Sequence, residues 1–438
     1  MADPLVPVCM PSISLNRLAS FQLRVGNYPH LLAAYGERIA QGAVAALRDY
    51  LAGIVQDHGA VEALAEDILQ IGLWRAGVAG EGLKEADCVD WLKVVCEKIP
   101  LIPFESEMGP LHLWISGLCA LPGGDGAGDA VGEWVFPFVG GMPCGEAWAE
   151  RYRADMALAS RALVALAEPL DDVFGARNTL RSFWQPVWSA DRGEVLYYEA
   201  LARLFYHDGL PESPGSCLLS MERLGFVRLF DLHMVRQVIA ELERSPGVHL
   251  AVNLSALSLC DDPWWEDVMA ELSAKGDVAK RLLLEITETA SVPNISDAIR
   301  FVTGMRRLGC RIVIDDFGTG FASVRQLLAF LPEVVKIDRV FLRRATVSAR
   351  DRALFERLAQ LARSIGSVVI AEGVETPRQK RIAQDAGVDW QQGYLWGRPS
   401  YCRTWPGGSS FEGAAGEEWA KQSRLSDLPD PGLSLGGA

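Results

Sequence analysis

Short apolar runs alternate with longer amphipathic stretches between residues 178 and 404. The apolar runs predict eight strands, at 183–187, 195–201, 250–254, 282–287, 311–317, 334–337, 368–371 and 392–395. Most of the intervening stretches have helical spacing; in 226–242, for example, Val227, Phe230 and Met234 fall on one face. Strands that alternate with helices in this way predict an α/β fold. Eight of them favour a (β/α)8 barrel, with an open, doubly wound sheet as the alternative.

Polar side chains interrupt these apolar runs near the carboxyl ends of the strands. Because a barrel strand is buried on both faces, it should be almost entirely apolar, so each interruption needs a reason. The interrupting residues are Glu199, Asn253, Glu285, Asp315, Asp316, Lys336, Glu372, Gln391 and Gln392. One acid at such a position is as well explained by a helix cap or a surface charge. A series of them at the same end of successive strands favours a shared site at the barrel mouth.

The chemistry of these side chains indicates what such a site would bind. Carboxylates that meet at one mouth repel each other unless cations lie between them. Carboxylate and amide oxygens suit Mg²⁺ or Mn²⁺, and the lack of His and Cys at these strand ends argues against zinc. The net charge of -14 argues against a DNA partner, yet a carboxylate site that holds metal still binds a phosphate ester.

The sequence shows no targeting or membrane segment. Its N-terminus lacks a basic segment followed by an apolar run, and no stretch reaches the ~18 consecutive apolar residues of a membrane span. We therefore expect a cytoplasmic protein without a membrane partner.

Residues 180–400 contain a series of short motifs in a fixed order. They are Glu199-Ala200-Leu201, Asn253-Leu254-Ser255, Glu285-Ile286-Thr287-Glu288, Asp315-Asp316-Phe317-Gly318-Thr319-Gly320, Lys336-Ile337-Asp338, Ala371-Glu372-Gly373-Val374-Glu375, Gln392-Gly393-Tyr394 and Gly397-Arg398-Pro399. One tripeptide would carry little information, but the ordered set is specific, and it resembles that of the EAL family of cyclic di-GMP phosphodiesterases. The resemblance implies a (β/α)8 barrel that hydrolyses cyclic di-GMP to linear pGpG with two Mg²⁺ or Mn²⁺ ions per active site.

The resemblance also implies roles for single residues at the metal centre. The implied metal ligands are Glu199, Asn253, Glu285, Asp315, Asp316 and Glu372. Asp315 would bridge the two ions, and Asp316 would serve the second. Lys336 and Glu372 would position and deprotonate the attacking water, and Glu199 belongs to the same catalytic group.

Substrate and coupling residues follow from the same resemblance. The implied substrate contacts are Gln185, Leu201, Arg203 and Gln392, with Arg203 on a phosphate. A loop at 317–323, which includes Phe317, Gly318, Thr319 and Gly320 and is steadied by Glu288, would link the metal site to a homodimer surface of the EAL domain.

The N-terminal region resembles a GGDEF diguanylate-cyclase domain that has lost its chemistry. We expect an α+β domain with a first strand at 21–25, a hairpin at 61–73 and a late helix over 148–166. An earlier helix should turn Val44, Leu47, Leu51 and Ile54 inward. Where the family has its pentapeptide, this chain has Ala65-Glu66-Asp67-Ile68-Leu69, so we expect no cyclase activity. The domain is then either regulatory, with a possible protein partner, or a passive remnant.

The predicted organisation is a degenerate GGDEF-like domain at 1–170, an EAL domain at 178–404 and a tail at 405–438. The tail is rich in Gly, Ser, Pro and acids and cannot bury enough apolar surface to order itself, so we expect it to be disordered. Two functions remain open. One is an active phosphodiesterase; the other is a non-catalytic cyclic di-GMP receptor or scaffold. The complete set of ligand positions favours the enzyme, because a two-metal site needs all its ligands.

Overall fold

The structure combines an antiparallel sheet near the N-terminus with a closed barrel that follows it. It is a computed structural model and describes residues 17–56, 59–74, 85–120, 130–134, 145–167, 178–206, 211–260, 262–287, 290–319, 324–364, 368–403 and 405. The Gly-Gly-Asp sequence at 123–125 and the predicted tail beyond 405 lie outside these residues.

The first sheet has the strand order β2-β3-β1-β6-β7, and its four described pairings are antiparallel. The elements of this region are β1 (Arg17–Val25), α1 (Tyr28–Tyr35), α2 (Glu37–Val55), β2 (Gly59–Ala65), β3 (Ile68–Trp74), α3 (Glu85–Lys98), β4 (Phe104–Ser106), β5 (Gly109–Leu111), β6 (Ile115–Ala120), β7 (Ala130–Trp134) and α4 (Gly145–Ala167). The predicted first strand lies inside β1, the predicted hairpin is formed by β2 and β3, and the predicted late helix is α4.

One prediction for helix α2 is wrong. Val44, Leu47 and Leu51 are buried as expected, but Ile54 is 46% exposed. The next residue, Val55, is buried in its place. Positions 44, 47, 51 and 55 keep the three- and four-residue spacing of a helical face, and Ile54, about 100° from Val55 around the helix axis, lies at the edge of that stripe.

The second part of the chain is a barrel that closes in the order β10-β11-β12-β13-β14-β15-β8-β9, which confirms the predicted eight-stranded barrel. Its elements are β8 (Asn178–Ser189), β9 (Val195–Tyr206), α5 (Gly215–Leu224), α6 (Val227–Arg244), β10 (Leu250–Ser255), α7 (Pro263–Ala274), α8 (Gly276–Arg281), β11 (Leu282–Thr287), α9 (Ile295–Leu308), β12 (Arg311–Phe317), α10 (Val324–Phe330), β13 (Val334–Ile337), α11 (Arg339–Ala345), α12 (Ala349–Ser364), β14 (Val368–Ala371), α13 (Pro377–Asp385) and β15 (Trp390–Gln392).

The barrel departs from a regular (β/α)8 pattern at its first strand. β8 is antiparallel to both of its neighbours, β9 and β15, whereas the other adjacent pairs run parallel. The last strand also differs from the prediction: it spans Trp390–Gln392 rather than 392–395.

The two parts of the chain pack against each other through apolar and charged contacts. Trp114 meets Phe226 and Trp264 edge-on, with ring centroids 5.5 and 6.1 Å apart. Helix α4 lies along α5 and contacts β8. None of the helices that the structure describes is both long enough and apolar enough to cross a membrane.

Candidate metal centre

The barrel interior has an apolar layer with a polar layer directly above it. The apolar layer consists of Val187, Tyr197, Ala251, Leu283, Val313, Val334 and Ile370. Because side chains alternate along a strand, the residue two positions later points into the same interior. The resulting pairs are Tyr197 and Glu199, Ala251 and Asn253, Leu283 and Glu285, Val313 and Asp315, Val334 and Lys336, and Ile370 and Glu372. Six strands thus each place one polar side chain at the mouth.

Lys336 lies at the centre of this polar layer. Its side chain is 1% exposed. Its Nζ lies 3.1 Å from Glu199 Oε2, 2.9 Å from Glu285 Oε2, 3.0 Å from Asp315 Oδ1 and 2.9 Å from Glu372 Oε1. A buried charge needs close partners of the opposite sign, and here one ammonium group draws four carboxylates together.

Glu199 also receives two amide hydrogen bonds. Asn253 Nδ2 donates to Oε1 over 2.7 Å, and Gln392 Nε2 donates to Oε2 over 2.5 Å. The Gln392 amide nitrogen also lies 3.4 Å from Gln185 Oε1, and Gln185 in turn donates to the carbonyl of Gly397 over 3.0 Å. The amide side chains from β10 and β15 therefore fix the orientation of this carboxylate, and Gln185 of β8 contacts the amide of Gln392.

A backbone irregularity brings two consecutive aspartates to the mouth. Asp316 has φ +51°, in the left-handed region that non-glycine residues rarely adopt. The pairing of β12 with β13 shifts register between Ile314 and Phe317. In a regular strand Asp315 and Asp316 would point to opposite faces. The irregularity places a carboxylate oxygen of each within 4.8 Å of the other and of an oxygen of Glu372.

The carboxylates form two overlapping groups that could hold metal ions. One contains Glu199, Glu285 and Asp315, the other contains Asp315, Asp316 and Glu372, and within each group one oxygen per residue lies within 4.8 Å of the others. The buried Oδ1 of Asn253 accepts no hydrogen bond from any residue that the structure describes. Oxygen donors and an unsatisfied amide oxygen suit a hard divalent cation, so the residues fit such an ion.

Burial and mutual repulsion change the protonation of these groups. Burial raises the pKa of Glu285 to about 8, and burial together with Asp315 raises that of Asp316 to about 7. Burial also raises the pKa of Glu372 well above its usual range. For Glu199, Lys336 and the two amides outweigh burial and lower the pKa. In the absence of cations the cluster therefore holds protons, which a bound cation would displace.

A cavity of about 610 Å³ opens above this cluster. Its lining residues are Gln185, Glu199, Leu201, Asp316, Thr319, Asp338, Arg339, Val340, Arg343, Glu372, Gly373, Glu375, Gln392, Gly393 and Tyr394. Among the residues expected to contact substrate, Gln185, Leu201 and Gln392 lie on this wall. Arg203 does not; its Nη1 donates to the carbonyl of Ala202 over 2.8 Å, and its guanidinium stacks over Phe183.

The loop after β12 is only partly described. Phe317 is buried, Gly318 has φ +103°, and the Thr319 hydroxyl donates to the Asp316 carbonyl over 3.1 Å. Gly320 and Glu288 lie outside the described residues.

The sequence analysis missed the positive side of the cavity. Arg339 and Arg343, one helical turn apart on α11, are the two cationic residues among those that line it. A signal was present, since α11 begins directly after Asp338, whose carboxylate caps the helix by accepting from Val340 N over 2.8 Å. The first turn of a helix that follows a barrel strand lies at the mouth.

Comparison with known proteins matches the barrel region to other sequences. The EAL domain model matches residues 168–399, which is more than half of the chain. The cyclic di-GMP phosphodiesterase PdeF of Escherichia coli K12 is 33% identical over 220 residues, covering 49% of this chain and 29% of that protein. The cyclic di-GMP phosphodiesterase NbdA of Pseudomonas aeruginosa PAO1 is 30% identical over 227 residues, covering 51% and 29%.

Two further similarities extend the comparison. An uncharacterized protein of Azorhizobium caulinodans is 32% identical over 239 residues, covering 52% of this chain and 32% of that protein. The chain thus spans about a third of the length of the curated relatives it matches. A solved structure of the PaMucR phosphodiesterase in complex with c-di-GMP is 29% identical, with a TM-score of 0.45, and the match covers 50% of this chain and 92% of that one. Because the family model matches more than half of the sequence, this chain belongs to the EAL domain family.

Proposed function

We propose that this chain is a metal-dependent phosphodiesterase that hydrolyses cyclic di-GMP to linear pGpG. The observation that carries the proposal is the pair of carboxylate groups that share Asp315, assembled from four different strands around Lys336. Two groups that share one carboxylate would provide places for two cations, and Asp315 would help to hold both. The phosphodiesterases named among the relatives support cyclic di-GMP as the substrate.

The cations would be held by Glu199, Asn253, Glu285, Asp315, Asp316 and Glu372. When bound, divalent cations such as Mg²⁺ or Mn²⁺ neutralise phosphate charge and lower the pKa of water. The side chains divide into two depths. Glu199, Asp316 and Glu372 line the cavity, whereas Glu285 and Lys336 lie beneath them, fully buried.

Hydrolysis adds one water across a P–O3′ bond of the cyclic dinucleotide. The water oxygen joins phosphorus, and the leaving 3′ oxygen takes up a proton, which gives the 5′-phosphate and 3′-hydroxyl of pGpG. Glu372 is the base in this proposal, because its carboxylate lines the cavity and contacts Lys336 Nζ at 2.9 Å. Lys336 orients that carboxylate, and Gln392 and Asn253 orient Glu199.

The decisive experiment is chromatographic detection of pGpG after incubation of the full chain with cyclic di-GMP and Mg²⁺ or Mn²⁺. We expect turnover by the wild type and its loss in Glu199→Ala. Tight binding of cyclic di-GMP without pGpG would instead support the receptor or scaffold. Ca²⁺ should inhibit, because its larger, flexible coordination fits this set poorly; full turnover in Ca²⁺ would contradict the metal assignment.

The remaining predictions from sequence stand as proposals. We propose that residues 1–170 form a degenerate GGDEF-like regulatory domain without cyclase activity, that 178–404 form the catalytic domain, and that 405–438 are a disordered tail. We also propose that the protein acts in the cytoplasm and forms homodimers through its EAL domain.

A further inference from the structure

Helix α5 lies between the N-terminal region and the metal centre, and it is bound from the N-terminal side by one buried aspartate. Asp155 of α4 is 5% exposed. Its carboxylate accepts from Ser220 Oγ over 2.8 Å and from Arg223 Nε over 2.8 Å. Arg223 Nη2 also donates to it. Three hydrogen bonds to one buried carboxylate fix the position of α5 relative to α4, since leaving that carboxylate without partners would be costly.

Glu222, which lies between Ser220 and Arg223 on α5, contacts the end of a barrel strand instead. Glu222 Oε1 accepts a hydrogen bond from Ser255 Oγ over 2.6 Å. Ser255 is the last residue of β10. Its backbone nitrogen donates to Asp231 Oδ2 over 3.0 Å. The end of β10 is therefore held from outside the barrel by acids on α5 and α6.

This anchored strand end carries one of the proposed metal ligands. Asn253 lies two residues before Ser255, and its amide nitrogen donates to Glu199 Oε1 over 2.7 Å. Its Oδ1 is buried and accepts from no residue within the described part of the chain. A displacement of β10 at Ser255 would move that oxygen and loosen the hydrogen bond to Glu199.

A second ion pair joins the same two parts of the chain without reaching the metal centre. Arg236 of α6 lies 3.4 Å from Glu97 of α3 through both of its terminal nitrogens. Within the described part of the chain, neither residue forms a hydrogen bond or an ion pair with β10. This pair provides an internal control for effects that come from domain packing alone.

We infer that Glu222 is a positioning residue for the ligand Asn253, and that Asp155 of the N-terminal region holds Glu222 in place through α5. The N-terminal region thereby raises the affinity of the barrel for its divalent cations. The inference rests on the metal site of the proposed function, and it gives the N-terminal region a specific physical effect on that site.

The test measures Mn²⁺ binding to the full chain by titration calorimetry, without substrate, beside pGpG formation as a function of Mn²⁺ concentration. Glu222→Ala and Asp155→Ala should each weaken Mn²⁺ binding about tenfold, as expected for partners just outside a ligand shell. Glu97→Ala should stay within about twofold of the wild type, and the Asp155→Ala/Glu222→Ala double variant should be no weaker than Glu222→Ala. Asp155→Asn keeps an oxygen acceptor for Ser220 and Arg223 and should recover most of the affinity, which guards against a fold defect in the alanine variant.

Two results would overturn the inference: unchanged Mn²⁺ affinity in Glu222→Ala, or equal losses in Asp155→Ala and Glu97→Ala. A wild type that binds no Mn²⁺ and forms no pGpG would remove the proposed function and this inference with it. A wild type that binds Mn²⁺ and turns over, beside a Glu222→Ala variant with the same affinity, removes the inference alone.

Discussion

Lys336 shows how a single residue shapes the site. Its ammonium group contacts four carboxylates that come from β9, β11, β12 and β14. Burial alone would lower the pKa of Lys336, but the surrounding carboxylates raise it well above its usual range, so the group stays charged. The positive charge therefore takes part in holding the strands together before any cation arrives.

Removing this charge should destabilise the metal-free protein more than the metal-bound protein. Lys336→Met should lower turnover by about 10²–10⁴ if Lys336 assists the proton transfer. In EDTA the free energy of unfolding of the variant should be about 3–5 kcal/mol lower than that of the wild type, because the buried carboxylates lose their counter-charge. Saturating Mn²⁺ should recover much of that stability. Denaturant titrations with and without Mn²⁺ measure this, and equal losses in both conditions would contradict it.

Arg343 should contribute to substrate binding. Its side chain lines a cavity whose wall also carries Arg339 and several acidic residues, so it is placed to meet a phosphate or guanine of the substrate. We expect Arg343→Ala to raise KM for cyclic di-GMP about tenfold with a smaller change in kcat, since one charge-assisted hydrogen bond is worth about 1.5–3 kcal/mol.

The neighbouring arginine is a matched control for that experiment. Arg344 pairs with Asp351 at 3.0 Å and does not belong to the cavity wall. Arg344→Ala should therefore leave KM unchanged. Steady-state kinetics on both variants would exclude a substrate role for Arg343 if the two behaved alike.

At the scale of elements, the sequence was most informative where strands are buried on both sides. The predicted runs at 282–287, 311–317, 334–337 and 368–371 coincide with β11 to β14 because continuous apolar residues leave few alternatives. The same runs identified the polar mouth residues, since an acid in an apolar strand stands out. The last strand was misplaced because Trp390-Gln391-Gln392 has one apolar residue and lacks this contrast.

The reversed direction of β8 was missed although the sequence contained a signal for it. Only residues 190–194 separate β8 from β9. A parallel crossover needs a dozen or more residues, so a five-residue connection requires a hairpin. Other features depend on tertiary contacts and have no local signal: the left-handed Asp316, the contacts of Arg203 with Ala202 and Phe183, and the Asp155 contact with α5.

The turn after β12 should be intolerant of a side chain at Gly318. This residue has φ +103°, and an added Cβ would lie 2.7 Å from Phe341 Cε2. We expect Gly318→Ala to cost about 1–3 kcal/mol and to lower turnover, because the loop follows Asp315 and Asp316 directly. Gly193→Ala, in the hairpin turn at φ +67° with open space around it, carries the backbone strain without the clash. Thermal unfolding and turnover of the pair separate the two effects; equal losses of turnover would contradict a special role for the loop.

At the scale of the whole molecule, two different architectures share a continuous core. His112, in the N-terminal region, is fully buried; its ring contacts Pro100 O at 2.8 Å and Ser160 Oγ at 2.9 Å and packs edge-on to Phe226 at the start of α6. A neutral imidazole satisfies both hydrogen bonds, with Nδ1 donating to the carbonyl. Protonation of the His112 ring would bury an uncompensated positive charge between the N-terminal region and the barrel.

The free energy of unfolding should therefore decrease as the pH is lowered from neutral to mildly acidic values. Burial lowers the pKa of His112 to about 4, whereas an unfolded chain takes up the proton near about 6.5. Between these values the unfolded state binds more protons, so this contribution is complete above pH ~6.5 and is lost as pH falls toward ~4. The shift corresponds to roughly 3 kcal/mol.

Unfolding free energies of the wild type and His112→Gln at several pH values between ~4 and ~7 would measure this term. The glutamine can keep a donor and an acceptor without titrating in this range. The variant should lose stability less steeply with acid than the wild type. Parallel pH profiles would show that His112 does not contribute the expected dependence.

The pairing of β8 with β15 also bears on the order in which the barrel can form during synthesis. The ring closes where β8 pairs with β15, so its first and last strands meet about 200 residues apart in sequence. Gln392 sits on that seam and donates to Glu199 from the far end of the chain. Glu199, Glu285 and Asp315 are synthesised well before Gln392. The hydrogen bond from Gln392 to Glu199 cannot form until β15 has emerged from the ribosome. Ring closure, and with it the contact that orients Glu199, is therefore expected late in the folding of the nascent chain.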